Sequence, residues 1–178
     1  MPRLRIAIGY EANIGKTIAG RYITSKYGGR QIEFSDAAFD LSCDIKRLLK
    51  TDTLNCNRLS KVLFKVIPLV STPNIWFSKV DELITQIDNI STSINIIISD
   101  VKTMEEYKYV KEKGFITVKI VKDNIKSSDD ISELDEQKFD YTIDNNGSGT
   151  DLRIKLDTVV SDIETKNAMN IQSSPNKQ

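Results

Sequence analysis

One segment constrains the fold of this chain more than any other: Ser93-Ile94-Asn95-Ile96-Ile97-Ile98. A strand with one wet face alternates apolar and polar residues. This one is β-branched and almost continuously apolar, the pattern of a strand covered on both faces at the centre of a parallel sheet. Parallel neighbours are joined by crossovers, usually helices, and helical patterns do lie on either side. Leu4 to Ile8 reads as a short strand, stopped by Gly9. From Gly15 to about Tyr27 the apolar positions Ile18, Tyr22 and Ile23 share a helical face, and Gly28-Gly29 is the stop. Gln31 to Phe34 predicts a second strand. Helices follow over about 37–50, 55–66 and 77–89, with Pro68 and Pro73 separating the last two. After the Ser93–Ile98 strand come a helix from Lys102 to Lys113 ended by Gly114 and a strand from Phe115 to Val121. A strand from Phe139 to Ile143 and a helix from Thr150 to about Glu164 complete the series. Strands separated by helices predict an α/β fold of three layers, a parallel sheet flanked by helices.

Composition narrows the function. The chain of 178 residues fits one domain of ordinary size. Lys plus Arg and Asp plus Glu are 25 each, so it lacks the cationic surplus that binding to nucleic acid draws on. There is no histidine, which removes His-activated nucleophiles, His metal ligands and imidazole switching together. Two cysteines, Cys43 and Cys56, make neither a Cys-only zinc site nor a secreted disulfide scaffold, so a reducing cytoplasm is the expected compartment. No apolar stretch reaches the ~18 residues of a membrane helix, and Met1 to Arg5 leads into no signal-peptide pattern. The polar run from Asn167 to Gln178 is expected to be a disordered tail, the folded part ending near Glu164.

Sheets of this kind bind ligands beyond the carboxyl ends of their strands. The residues expected there are Gly9 to Thr17, then Ser35-Asp36, then Ser99, Asp100 and Lys102, then Asn145-Asn146-Gly147. Gly9-Tyr10-Glu11-Ala12-Asn13-Ile14-Gly15-Lys16-Thr17 looks like a phosphate-binding Walker A loop. That chemistry needs amide N–H groups at a helix N-terminus, a lysine for the β/γ-phosphates and a hydroxyl for Mg²⁺. The spacing is irregular. Five residues rather than four separate Gly9 from Gly15, and the usual spacing would put Tyr10 in the first position. Either the loop holds one extra residue or its first glycine is lost. In the competing reading Gly9 ends a strand, Gly15 opens a helix, and Lys16 and Thr17 are simply exposed. Asp100, after the most apolar strand, suits either orientation of Mg²⁺ or the N-cap of the helix that follows; Asp36 has the same two readings.

The order of motifs resembles the deoxynucleoside monophosphate kinase family, which includes viral members, with phosphomevalonate kinase as a relative. The residues that carry the resemblance are Gly9-Tyr10 and Gly15-Lys16-Thr17, Phe34-Ser35-Asp36-Ala37-Ala38-Phe39, Trp76, Asp100-Val101-Lys102 with Glu106, Ser132-Glu133, and Phe139-Asp140-Tyr141-Thr142-Ile143-Asp144-Asn145. They run in order over about residues 4–160. The resemblance implies a P-loop kinase that passes the ATP γ-phosphoryl to the 5′-phosphate of a deoxynucleoside monophosphate, with ATP and Mg²⁺ required. It implies a core of about 1–36 and 92–164, a helical acceptor-binding insert of about 37–91 and a short lid of about 122–138.

For the site it implies that Gly9, Tyr10, Asn13, Ile14, Gly15, Lys16 and Thr17 hold the ATP phosphates, Thr17 standing where the family has aspartate. Asn145, Asn146 and Gly147 would lie against the base. Lys16, Asp100 and Lys102 would carry catalysis, and Thr17 and Asp100 the metal. Asp36, Arg47, Arg58, Trp76, Glu106, Ser132 and Glu133 would contact the acceptor, and a homodimer fits the pattern. Lysine departs from the family's arginine at position 102, and Arg58 and Arg153 are the only arginines beyond position 50. Lys102, Lys119, Lys122 and Lys126 are the cations available instead, although lysine lacks the planar fork that grips phosphate, and for at least two of Lys119, Lys122 and Lys126 solvated surface charge is the stronger reading. Arg47, Lys50, Arg58 and Lys61 have an equal reading as surface charge, and Trp76 a stronger one as core. Two alternatives follow: a catalytically weakened nucleotide-binding protein on the same fold, or a kinase for another acceptor such as phosphomevalonate.

Overall fold

In the computed structural model, strand β1 (Arg5–Gly9) is central to a five-stranded sheet. The spatial order is β2 (Arg30–Ile32), β3 (Ile96–Val101), β1, β4 (Ile116–Val121), β5 (Tyr141–Asp144). β1 runs parallel to β3 and to β4, and β4 parallel to β5. The structure describes residues 3–10, 14–71, 74–123, 134 and 137–172. The chain divides into two compact units, Met1–Gln31 with Ile87–Gln178, and Ile32–Gln86.

The first unit holds the sheet. Alternation along a strand sends successive side chains to opposite faces. On one face Ile6, Ile8, Ile97, Val118, Ile120 and Ile143 pack with Ala19 and Ile23 of α1 (Lys16–Tyr27) and with Leu152, Leu156, Val160 and Ile163 of α6 (Gly149–Gln172). The residues between them, Ala7, Ile96 and Ile98, are buried too, so both faces are covered. Each such isoleucine contributes about 1.5–3 kcal/mol by burial. α5 (Met104–Glu112) packs on β4.

The strong strand is shifted from its expected place. It spans Ile96–Val101, and all six residues are buried, Ser99 and Asp100 included. The register explains this. Ala7 pairs with Ile98 but Gly9 with Val101, so β3 carries one residue more than β1 over that interval. A bulge of this kind re-aims side chains near a site. β2 and β5 also differ from expectation, covering Arg30–Ile32 and Tyr141–Asp144. α6 runs to Gln172, so residues 165–172 continue a helix rather than begin a tail. Lys166 helps hold this extra length, its Nζ lying 2.8 Å from Asp162 and donating to the Tyr141 hydroxyl at 3.0 Å. Among the described residues no helix is long and apolar enough to cross a membrane.

The second unit contains α2 (Asp36–Leu48), α3 (Cys56–Val70) and the start of α4 (Ile75–Ile90). α2 packs against α3, and the buried Ser42 hydroxyl ties them by donating to the Cys56 carbonyl at 3.0 Å. Asn55 caps α3 by accepting from the Arg58 N–H at 3.0 Å. Pro68, expected to separate helices, lies inside α3. A proline there has no N–H for the carbonyl four residues back, which is Phe64. The indole Nε1 of Trp76 donates to that carbonyl at 2.9 Å, and the Trp76 ring stacks on Phe64 at 5.4 Å and 10°. One side chain therefore compensates the break that the sequence pattern led us to expect.

Candidate active site

The described ends of the connection between β1 and α1 are two residues of unusual backbone conformation. Gly15 is the N-cap of α1 and adopts a left-handed conformation, φ +101°, which only glycine enters without strain. A Cβ at Gly15 would come 2.8 Å from the Asn145 amide nitrogen. No acidic side chain lies in the first turn of α1, so that positive helix end is not neutralised from within. At the other end of the turn, Tyr10 has the irregular spacing's first position and also φ +101°. The structure thus has a tyrosine in a glycine-type conformation where the usual motif has glycine. Such a residue costs of order 1–3 kcal/mol and persists only when its surroundings over-determine it.

Those surroundings are visible. The Tyr10 N–H donates to the Val101 carbonyl at 3.0 Å. Its carbonyl accepts from Lys16 Nζ at 2.9 Å, and Lys119 Nζ sits 3.9 Å from the ring centroid. Lys16 is 6% exposed, which removes the reading in which it is surface charge; Thr17 is half-buried. Gly9 closes β1 where space is scarce: a Cβ would lie 3.1 Å from both Phe139 and Val101 side chains. Ile14 is buried in the core beneath the loop.

Asp100 stands at the bulge of β3, 4% exposed, next to the residue that pairs with Gly9. It is not a helix cap. Thr103 caps α5, its hydroxyl accepting from the Glu106 N–H at 3.2 Å. Glu106 completes the box by accepting from the Lys102 and Thr103 amides at 2.6 and 2.9 Å. Expected to contact an acceptor, Glu106 is 5% exposed and holds backbone. Burial, then the neighbouring Asp100 carboxylate, push its pKa up to about 7. Lys102 reaches outward, with Nζ 3.8 Å from Asp100.

Asn145 links the end of β5 to the loop. Its amide donates to the Ile14 carbonyl at 2.8 Å, and its N–H to Val121 at 2.7 Å. The exposed Asn146 accepts from the Asp123 N–H at 2.7 Å. Gly147 precedes α6, where a Cβ would collide with Asp151 at 2.6 Å. The Phe139–Asn145 motif earns most of its residues structurally. Asp140 accepts from the Thr117 N–H and hydroxyl and from Lys111. Burial alone would raise its pKa, but those donors outweigh it and hold the carboxylate low.

Asp36, Arg47, Arg58 and Trp76 belong to the second unit. Asp36 accepts from the Glu33 N–H at 2.8 Å, and burial raises its pKa. Arg47 pairs with Asp44 at 2.7 Å on the surface, Arg58 is exposed, and Trp76 is packed as above. Asn13, Ser132, Glu133, Lys126 and most of the expected lid lie outside the described residues. Sequence reasoning passed over Thr103, although Thr103-Met104-Glu105-Glu106 spells a capping box. It also passed over Gly20, where a Cβ would come 2.9 Å from Ser99 and α1 lies close on β3.

These residues fit a magnesium–polyphosphate ligand. The left-handed Gly15 turn is tied to Asn145 through the Ile14 carbonyl, and a buried ammonium faces the Tyr10 carbonyl. Thr17 and Asp100 offer the hard oxygens Mg²⁺ takes, and such sites draw their remaining ligands from phosphate and water. No cluster of three or more His, Cys, Asp or Glu suited to a metal occurs among the described residues. No family model matches the chain, and no curated protein matches it. Among solved structures, dephospho-CoA kinase from Campylobacter jejuni is similar over 91% of this chain and 96% of its own, with a TM-score of 0.54 and 15% identity. That likeness shows the fold alone: the chain shares that protein's α/β architecture, a parallel sheet flanked by helices.

Proposed function

We propose that the protein is an ATP-dependent phosphotransferase that passes the γ-phosphoryl group to a small phosphorylated acceptor, a deoxynucleoside 5′-monophosphate, giving the diphosphate and ADP. The observation that carries the reading is the buried Lys16 beside a left-handed Gly15 turn at the carboxyl edge of a parallel sheet, with Asp100 at the end of the adjacent strand. The solved neighbour, itself a kinase, supports phosphoryl transfer to a small substrate. The ordered motifs favour a nucleotide as that substrate.

Phosphoryl transfer asks the protein for position and for charge, with little covalent chemistry. In this reading the α1 N-terminus and the Lys16 ammonium bind the ATP phosphates. Lys16 leaves the Tyr10 carbonyl to do so, exchanging one oxygen partner for another. Thr17 and Asp100 hold Mg²⁺, which when bound neutralises charge on the phosphates. Asn145 keeps the turn open, and the Asn145-Asn146-Gly147 segment lies against the base. Lys102 steers a second anion towards Asp100's surroundings, and the basic side chains of the helical unit, Arg47 and Arg58, together with Asp36, serve the acceptor.

A second reading has its own observation. Tyr10 is strained where a glycine is usual, and lysines replace the expected arginines, so the fold could bind nucleotide while transferring poorly. One experiment separates the readings. Purified protein is given ATP and Mg²⁺ with dTMP, dGMP, dCMP, dAMP or phosphomevalonate in turn, and ADP is measured; ATP binding is followed by calorimetry. Acceptor-dependent ADP with a deoxynucleotide supports the proposal. Binding without turnover favours the second reading, turnover with phosphomevalonate alone changes the acceptor, and no ATP binding removes all three.

A further inference from the structure

Two of the described non-glycine residues have positive φ, Tyr10 at +101° and Lys50 at +48°. Lys50 is in the ordinary left-handed helical region, where isolated residues at helix ends are found. Tyr10 lies well beyond it. An unaided tyrosine would relax to negative φ, so something must keep it there.

The ring supplies the reason. Lys119 lies on β4 directly opposite Gly9 in the parallel register, and its ammonium rests 3.9 Å from the Tyr10 ring centroid. Other cation–ring approaches among the described residues span 5.0–5.7 Å. This one is at full contact distance, and it falls on the strained residue. The ring and the carbonyl are both carried by the Cα that the positive φ orients, so a rotation about φ moves both. If φ relaxed, the ring would leave Lys119 and the Tyr10 carbonyl would swing away from Lys16 Nζ, which it now meets at 2.9 Å.

We propose that Lys119 and Tyr10 are a positioning pair for the phosphate loop: the ammonium on the ring holds Tyr10 in the backbone conformation a glycine would supply, and so sets where Lys16 waits. In this role both act through the place they give Lys16 rather than on the reacting atoms. The proposal rests on the reading that the loop binds a polyphosphate. It goes beyond that reading because it assigns a role to a lysine on another strand and explains how the loop tolerates losing its glycine.

The test is a double-mutant cycle on the full chain, with Lys119→Met, Tyr10→Gly and the two together, plus Lys119→Arg. Binding of inorganic tripolyphosphate with Mg²⁺ is measured by calorimetry, and the melting midpoint is measured without ligand. In the wild-type background Lys119→Met should weaken tripolyphosphate binding by roughly tenfold, within the range of one cation–π contact. Lys119→Arg should restore binding to within about twofold, since guanidinium also sits on rings. In the Tyr10→Gly background, Lys119→Met should change binding by less than about threefold, because glycine needs no support. An equal loss in both backgrounds overturns the proposal, since Lys119 would then act as a plain charge. The melting midpoints should show the same non-additivity, and additive midpoints overturn it as well. If the wild type binds no polyphosphate, the functional reading fails, and the midpoints of the unliganded variants still decide the pairing.

Discussion

Strand β3 and helix α3 are built on opposite terms. All six residues of β3 are buried. α3 spans Cys56–Val70, and its only buried residue is a serine, Ser60. Val62, Val66, Leu69 and Val70 along the same helix are 45–81% exposed. The sheet unit is therefore fixed by close packing on both faces, which transmits strain and tolerates little change in volume. The helical unit buries fewer apolar side chains, and several of its ties are polar: the Ser42 and Asn55 hydrogen bonds, and the Trp76 bond to the Phe64 carbonyl. This contrast locates where each half of the proposed reaction is specified. A phosphate loop is made of backbone and needs a rigid frame. An acceptor surface is made of side chains on helices, and it can vary without disturbing that frame.

If chemistry resides in the sheet unit, Lys16→Ala should outweigh every other single change. Removing a positioned cation at the transferring group lowers turnover by about 10²–10³-fold, with the circular dichroism expected to stay that of wild type. Activity within a few-fold of wild type would undo the contrast at its stronger side. In the helical unit the greatest expected effect is on stability. Trp76→Ala should cost about 3–5 kcal/mol in urea unfolding. Trp76→Phe keeps the stack on Phe64 but orphans its carbonyl, at about 1–2 kcal/mol. In a Pro68→Ala background the helix regains an N–H for that carbonyl, so Trp76→Phe should become nearly neutral. A raised acceptor KM in Trp76→Phe, with stability unmoved, would instead make Trp76 a substrate contact.

Much of the sheet unit was legible in the sequence because its signals are strong and local. A β-branched run announces a buried strand, and Gly15-Lys16-Thr17 announces a turn into a helix. What was hidden depends on contacts between distant residues. The bulge that buries Asp100 arises from pairing with β1, and no feature of Ser99-Asp100 alone demands it. Pro68 reads as a helix end because its missing N–H is visible and the compensating Trp76 is not. α6 outruns its apolar pattern because Lys166 finds Tyr141 and Asp162. The capping box at Thr103 was legible and outcompeted by the attraction of Asp100 as a cap. The acceptor residues stay the least legible, since exposed basic side chains on helices carry the same pattern whether or not they bind anything.

The buried carboxylates carry the contrast into pH. Glu106 is lifted from its ordinary value of 4.5 to about 7 by burial and by Asp100. Below pH 4.5 it is protonated both folded and unfolded, and its contribution to stability is complete. As pH rises through 7 the unfolded chain ionises first, so the contribution is lost across that window. The loss amounts to a few kcal/mol at most, because each tenfold change in proton affinity is worth about 1.4 kcal/mol. Glu106→Gln keeps an acceptor for the capping box and removes the titration. Urea unfolding at pH 5 and pH 8 should show wild type losing more stability between them than the variant. Equal losses would mean that Lys102 already compensates the charge, and that the sheet unit is less dry at this edge than its burial implies.

A finer effect is the most specific to the loop. Gly15 and Gly114 both have positive φ, +101° and +74°, so a methyl group strains either backbone by about 1 kcal/mol. They differ in what the methyl would meet. At Gly114 nothing lies within 4 Å, whereas at Gly15 the Asn145 amide nitrogen is 2.8 Å away. That amide donates to the Ile14 carbonyl, so moving it breaks a hydrogen bond worth about 1 kcal/mol. Gly15→Ala should therefore destabilise by about 1 kcal/mol more than Gly114→Ala. In an Asn145→Ala background the obstacle is gone, and the two substitutions should cost the same. If Gly15→Ala remains the more costly there, the strain belongs to the turn itself rather than to its tie with β5. The frame holding the loop would then be the β1–α1 connection alone, and the rigidity credited to the whole sheet unit would shrink to that one connection.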